Sequence, residues 1–264
     1  MYALDDTQLR RYAPSVFAAQ PHRQVSRRYG FIPTAEVIDA FRERGWHPVH
    51  AAQTRVRDGA NRDYARHLVR LRRIDDPVQV GDALAELVLV NSHDRSAAYQ
   101  LDAGLFRLVC SNGMVCPLQE FGTVRVRHGR RIVQEILEAS GRLVEGLPLV
   151  ARHVERFRAV LLDDRTQLAF AGQALAIRYG HDWRRASPVA PGALLEPRRA
   201  DDARGDLWSV YNRVQENLMR GGLRGQSRSG RRLRTRPIRS VIADVRLNRG
   251  LWRTAERFAD RLAA

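Results

Sequence analysis

The chain contains no lysine: all 45 of its basic residues are arginine. That absence excludes chemistry. A phosphate-binding loop of the Gly-Lys-Ser/Thr type needs the lysine ammonium. A Schiff base or a lysyl-adenylate needs its amine as nucleophile. Nuclease sites built on an acidic pair plus lysine are excluded in their usual form. Cysteine is scarce, at two residues, too few for a secreted disulfide framework. No apolar run approaches the ~18–20 residues of a membrane span. The opening Met1-Tyr2-Ala3-Leu4-Asp5-Asp6 lacks the basic and apolar segments of a secretory signal. A cytosolic protein with reduced thiols and no membrane association is therefore expected. Aromatic residues amount to 7%, so the candidates for base stacking are few: Tyr29, Trp46, Tyr64, Tyr99, Phe106 and Phe121.

What is present is length and positive charge. A chain of 264 residues, 44% hydrophobic, can bury a core as one large domain or two small ones. The formal net charge is +16 and the isoelectric point about 11.2, which points to a polyanionic partner, most often nucleic acid. Arginine codons in a GC-rich genome would also produce such a composition. Arginine nonetheless keeps its charge, grips phosphate with two parallel donors and stacks on bases.

One stretch organises the reading. Leu105 to Cys110 alternate like a strand, Ser111-Asn112-Gly113 is a turn signal, and Met114-Val115-Cys116 stops at Pro117. The result is a corner carrying a thiol, a hydroxyl and an amide; a plain turn with two packed cysteines fits the same spacing. Around it, periodicity predicts a helix over 34–44 and strands over 49–57, 64–74, 84–91, 98–110 and 123–128. This is an antiparallel meander of about five strands. Arg55 and Arg57, then Arg66, Arg70 and Arg72, then Arg125 and Arg127 fall on one face of it. Like charges on neighbouring strands repel, and a bound polyanion would relieve them.

Beyond Gly129 the pattern is helical, over 132–143, 150–162 and 165–179. Residues 180–206 read as a linker with three prolines, and a helix follows from Leu207 to Leu218. Residues 220–239 hold eight arginines and no acid, the composition of a flexible nucleic-acid arm. Leu251, Trp252, Ala255, Phe258, Ala259 and Leu262 make a closing amphipathic helix. The expected class is α+β: helix plus antiparallel sheet over 1–130, and a helical part over 131–264 packed on the sheet as one domain.

Metal readings are unspecific. Cys110 and Cys116, with His93 and His128, have the wrong spacing for a zinc knuckle and no second cysteine pair. Asp94, Asp102 and Glu120 could hold magnesium, but no spacing marks them, and Asp94 suits a turn cap. No metal or other cofactor is required.

Five separated motifs carry a resemblance: Asn91-Ser92-His93-Asp94, Phe106 to Gly113, Arg127-His128, Tyr211 to Asn217, and Leu247 to Trp252. Together, over roughly residues 25–260, they resemble the phage/plasmid-like protein family, long catalogued as a domain of unknown function. Arg95 stands where that family usually has Gly. The resemblance implies a mobile-element context and no established reaction. It marks Asn91, His93, Asp94, Arg107, Cys110, Asn112, Gly113, Asn212, Gln215, Asn217, Asn248 and Trp252 as motif residues. In element order alone, the chain is similar to the single-strand annealing core of the recombination mediator Rad fifty-two and its phage counterparts.

The leading expectation is a nonenzymatic, homo-oligomeric binder of single-stranded nucleic acid, DNA above all, used in annealing or recombination. The sheet arginines and His128 would follow the phosphates, and Arg228, Arg231, Arg232, Arg234 and Arg236 of the arm would close over them. The rival readings are a metal-dependent nuclease or other enzyme centred on His93, Asp94, Cys110 and Asn112, and a structural or regulatory partner whose charge is incidental.

Overall fold

The computed structural model describes residues 2–23, 31–56, 59–80, 83–94, 97, 99–107, 113–116, 124–126 and 132–263. The chain divides into two compact units, Met1–Pro148 and Leu149–Ala264.

In the first unit, α1 (Asp6–Tyr12) starts from a reciprocal cap. The Asp5 carboxylate accepts from the Gln8 amide at 2.8 Å, and the Gln8 side chain accepts from the Asp5 amide at 3.0 Å. A 3-10 turn at Pro14–Phe17 follows, then α2 (Thr34–Arg42), whose Val37, Ile38 and Phe41 are buried. The strands are β1 (Trp46–Gln53), β2 (His67–Arg73), β3 (Gln79–Val80), β4 (Ala83–Asn91), β5 (Tyr99–Arg107), β6 (Gly113–Cys116) and β7 (Val124–Val126). The helix α3 (Ile132–Glu145) lies against α2 and β5. All strand pairs are antiparallel, in the order β1-β2-β4-β5. At the far edge β5 takes two short partners: Gly113 opposes Phe106, and Val126 opposes Tyr99. The meander is as the alternation predicts, except that its last position is shared by β6 and β7.

The faces of the sheet differ from the expectation of one apolar and one cationic side. Every residue from His67 to Arg72 and from Ala83 to Asn91 is buried, on both faces. Arg70 and Arg72 are inside, and both point at Glu86. Arg70 Nε donates to Glu86 Oε2 at 2.6 Å and Arg70 Nη2 to Oε1 at 3.2 Å. Arg72 donates to Oε1 through Nε at 2.9 Å and again through Nη2. The strand register adds a second acid to this face, because Arg70, Val88 and Asp102 stand in one row across β2, β4 and β5. For Arg70 and Arg72 the like charges are thus compensated by an internal carboxylate, so these two are not exposed for a polyanion.

The second unit is helical: α4 (Leu147–Ala159), α5 (Asp164–Tyr179), α6 (Trp183–Ala186), α7 (Leu207–Arg220) and α8 (Val241–Ala263), with a hairpin of β8 (Arg224–Gln226) and β9 (Arg232–Arg234) before α8. Asp163 caps α5 through the Thr166 amide at 2.7 Å, and Asp206 caps α7 through the Ser209 amide at 2.9 Å. The core is aromatic: Trp252 lies 5.2 Å from Phe157 and 6.3 Å from Tyr211, and Phe170 meets Phe258 edge-on at 5.3 Å. All residues from Leu207 to Leu218 are buried, so α7 is the central element. The expected linker is a built part of this unit, since Leu194 is fully buried and its carbonyl accepts from Asn217 Nδ2 at 3.0 Å. The closing helix starts ten residues earlier than its strongest apolar stripe, because Val241, Val245 and Leu247 extend that stripe into the core.

Glu86→Gln leaves two buried guanidiniums without their shared charge. Breaking a buried ion pair on one side costs roughly 3–5 kcal/mol. Urea unfolding of the variant is expected to show a loss of that order; a loss below about 1 kcal/mol would contradict the pairing.

Candidate nucleic-acid interface

The motif Asn91-Ser92-His93 runs off the end of β4 inside the first unit; Asn91 and His93 converge on Thr34, the first residue of α2, while Ser92 Oγ holds the Ala97 amide at 2.8 Å. The hydrogen-bond partners assign the protons. The Ala65 carbonyl can only accept, so His67 Nδ1, 3.2 Å away, carries a hydrogen. The same nitrogen sits 2.8 Å from Ser15 Oγ, whose own proton goes to Gln53 Oε1 at 2.7 Å. His67 Nε2 is then an acceptor and takes the Thr34 hydroxyl proton at 2.9 Å. Thr34 Oγ1 in turn accepts from Asn91 Nδ2 at 3.0 Å and from His93 Nε2 at 3.1 Å. One donor and two lone pairs exhaust a hydroxyl. Tyr99 Oη, 3.3 Å from Thr34, donates to the Ile32 carbonyl at 2.9 Å.

Ser15, Thr34, His67, Asn91 and His93 are all fully buried. Burial drives the His67 imidazolium down to about pKa 4. With His67 neutral, this network fastens α2 to the sheet; its atoms are buried and present no reacting group to solvent. Of the proposed enzyme centre, His93 is in this network, Asp94 is half-buried beyond it, and Cys110 and Asn112 lie outside the described residues. Among the described residues no three His, Cys, Asp or Glu side chains gather as a metal site.

The motifs of the second unit are also internal. Gln215 Nε2 of α7 donates to Asn248 Oδ1 of α8 at 3.0 Å, and Asn248 Nδ2 donates to Asp244 Oδ1 at 2.6 Å. Asn212 Nδ2 donates to the Trp208 carbonyl at 2.7 Å. Asn217 receives Arg198 Nε at 2.6 Å and donates to the Glu196 carbonyl at 2.9 Å. Trp252 Nε1 donates to Glu256 Oε1 at 2.9 Å. Glu216 carries Arg199 at 2.7 Å and Arg220 at 3.1 Å. These residues join α7, α8 and the 194–199 segment.

The exposed chemistry is the arginine-rich segment, and it is an ordered hairpin rather than a flexible arm. Gly222 N donates to the Thr235 carbonyl at 2.8 Å and Thr235 N to the Leu223 carbonyl at 2.9 Å. Arg178 donates to the carbonyls of Leu218 and Arg236, holding the two legs together. One face, Gly225 and Leu233, is half-buried; Gln226 N donates to the Pro188 carbonyl at 2.9 Å. The other face is exposed, with Arg224 directly opposite Arg234 and Gln226 opposite Arg232. It borders a hollow of about 680 Å³. Arg228 and Arg231 flank the turn, and Arg236 and Arg239 follow β9, all exposed. Among the described residues no carboxylate pairs with any of Arg224, Arg228, Arg231, Arg232, Arg234, Arg236 or Arg239. Residues 149–264 contain 24 arginines against 12 acids, a net +12 of the chain's +16.

The other expected site residues are scattered. Arg55 is exposed beyond β1, beside Arg11 and Arg62 around a hollow of about 530 Å³. Arg66 is half-buried. Arg107 ends β5 opposite Ala83, Gly113 opens β6, and Arg125 lies in β7 opposite Gln100. Arg57, Arg127 and His128 are outside the described residues. Periodicity gave no warning of Glu86 or Ser15 as partners, because a single polar residue in a strand carries no mark of what it will face.

His67 is neutral when folded and ordinary when unfolded, so the unfolded chain binds the extra proton between about pH 6.5 and 4. Its contribution is complete above pH 6.5 and is lost as pH falls toward 4, by about 3 kcal/mol. Thermal melts across that window are expected to follow this slope, and His67→Gln to flatten it. At the hairpin, a Cβ on Gly225 would meet the Pro188 carbonyl oxygen at 2.2 Å. Gly225→Ala is therefore expected to undock the hairpin and speed tryptic cleavage at Arg228 and Arg231; an unchanged cleavage rate would refute the docking.

Comparison with known proteins agrees with the motifs. Residues 21–252 match the family described as a domain of unknown function, DUF932. The chain is 41% identical over 249 residues to the UPF0380 protein YafZ of Escherichia coli K12, covering 94% of this chain and 89% of the relative. It is 40% identical over 249 residues to the UPF0380 protein YfjQ of the same organism, with the same coverage. No solved structure matches. The family match takes in the buried motifs of both units, and the protein belongs to the DUF932 family of unknown function.

Proposed function

We propose that the protein is a nonenzymatic binder of single-stranded nucleic acid, DNA foremost, that holds the phosphate backbone on the β8–β9 hairpin. The observation that carries this is the row of exposed arginines without carboxylate partners on an ordered, docked hairpin. Opposing like charges on paired strands cost stability, and a polyanion laid across them returns it. Arginine is suited to that contact because its fork meets two phosphate oxygens at once. The element order shared with annealing proteins favours a single strand, and the resemblance to phage and plasmid proteins supplies the mobile-element context. Assembly into a homo-oligomer, which annealing along a long strand requires, belongs to the same reading. Of the apolar stripe Leu251 to Leu262 in α8, the residues up to Ala259 lie in its own core and only Leu262 is exposed, so assembly would use another surface.

Fluorescence anisotropy with a labelled oligonucleotide tests the reading. Log affinity should fall linearly with log salt, with a slope near −0.7 for each phosphate contact on a single strand. The combined variant Arg228→Ser, Arg231→Ser, Arg232→Ser and Arg234→Ser should flatten that slope by about 2 or more and weaken binding at least tenfold at low salt. Unchanged slope and affinity would remove the hairpin from the interface.

A further inference from the structure

The hairpin shares a wall with a groove. Its floor is one side of α5, where Leu168, Ala169 and Gly172 leave room, and its far wall is Trp183 with the segment through Pro188. The volume is about 900 Å³, ample for a planar ring. Gly172 permits the indole to lie against α5, since a Cβ there would come within 3.3 Å of Trp183 Cζ2. The Arg184 guanidinium rests 4.9 Å from the centre of the Trp183 ring, and Arg165 lies at the rim, both exposed. The same backbone binds the hairpin: Pro188 O accepts from Gln226 N, and Arg185 O accepts from Arg228 Nε at 3.2 Å. Groove and arginine row are therefore fixed to one rigid strip.

We infer that this groove takes an unpaired nucleobase, stacked on Trp183, from a strand whose phosphates lie on the hairpin; the inference rests on the reading of the hairpin given above. The pairing of an aromatic platform with a cationic track is what sequence-tolerant single-strand binding uses. A duplex keeps its bases stacked on one another and has no free base face to lay on the indole. The groove is thus the element that separates single strands from double strands. The chain offers a clean reporter, because Trp46, Trp208 and Trp252 are buried while Trp183 is half-exposed.

The test is titration of the full chain with a thymidine 20-mer and with a 20-base-pair duplex, read by tryptophan fluorescence and by anisotropy. The 20-mer should quench the emission, and Trp183→Leu should abolish the quench. That variant should lose about tenfold in affinity for the 20-mer and less than about twofold for the duplex. Trp183→Tyr should retain most of the affinity. Ala169→Phe, at an exposed position, should fill the groove and reproduce the loss with Trp183 intact; melting curves establish that each variant is folded. If the 20-mer binds with its salt slope intact while Trp183→Leu and Ala169→Phe change nothing, the groove is overturned and the hairpin stands. If neither oligonucleotide binds the wild-type chain, the hairpin reading falls and the groove with it.

Discussion

A guanidinium does not give up its proton in a protein, so each arginine must be handed an acceptor or left in water. With 45 arginines against 29 acids, this chain cannot give each arginine a carboxylate of its own. Its fold shows where the carboxylates are used. Glu86 takes two guanidiniums inside the sheet, and Glu216 takes two beside the central helix of the second unit. The β8–β9 hairpin receives none among the described residues. Its inner face is glycine and leucine against a proline-bearing strip, and its outer face is arginine against arginine. Seven exposed arginines without a carboxylate partner among the described residues thus gather on one ordered segment, Arg224 to Arg239.

The motifs that identify the family have a different task. Asn91 and His93 saturate the Thr34 hydroxyl, and Gln215 and Asn248 tie two helices together. In an interior of low dielectric such contacts fix one arrangement, because any alternative leaves a polar group unsatisfied. These contacts give the motif residues a packing role that requires no reaction. A neutral His67 is part of the same logic: a second ring proton would face the proton that Thr34 already donates.

The strands and helices were legible because their periods are long and regular: alternation over 84–91, and apolar returns every three or four residues along α7. The class, the meander and the hairpin's arginines follow from these patterns. The burial of Arg70 and Arg72 does not, because alternation tells which side a residue takes and not whether that side is wet. Glu86 stands among apolar neighbours, sixteen positions from Arg70, and only the register of β2 on β4 brings the two together. The segment 180–206 read as a linker from its prolines and glycines, yet its carbonyls at Pro188, Leu194 and Glu196 are acceptors for hairpin and helix donors. Trp183 lies in that segment, where no periodic pattern distinguishes an aromatic that is half-exposed.

Photo-crosslinking locates the contact without altering a residue. A single-stranded oligonucleotide carrying a photoreactive thymidine analogue, irradiated with the wild-type chain and mapped by peptide mass, reports which residues lie against it. Adducts are expected within 183–191 and 224–239. Adducts confined to residues 1–148, or yields undiminished by an excess of a polyanionic competitor, would contradict a nucleic-acid interface at the hairpin.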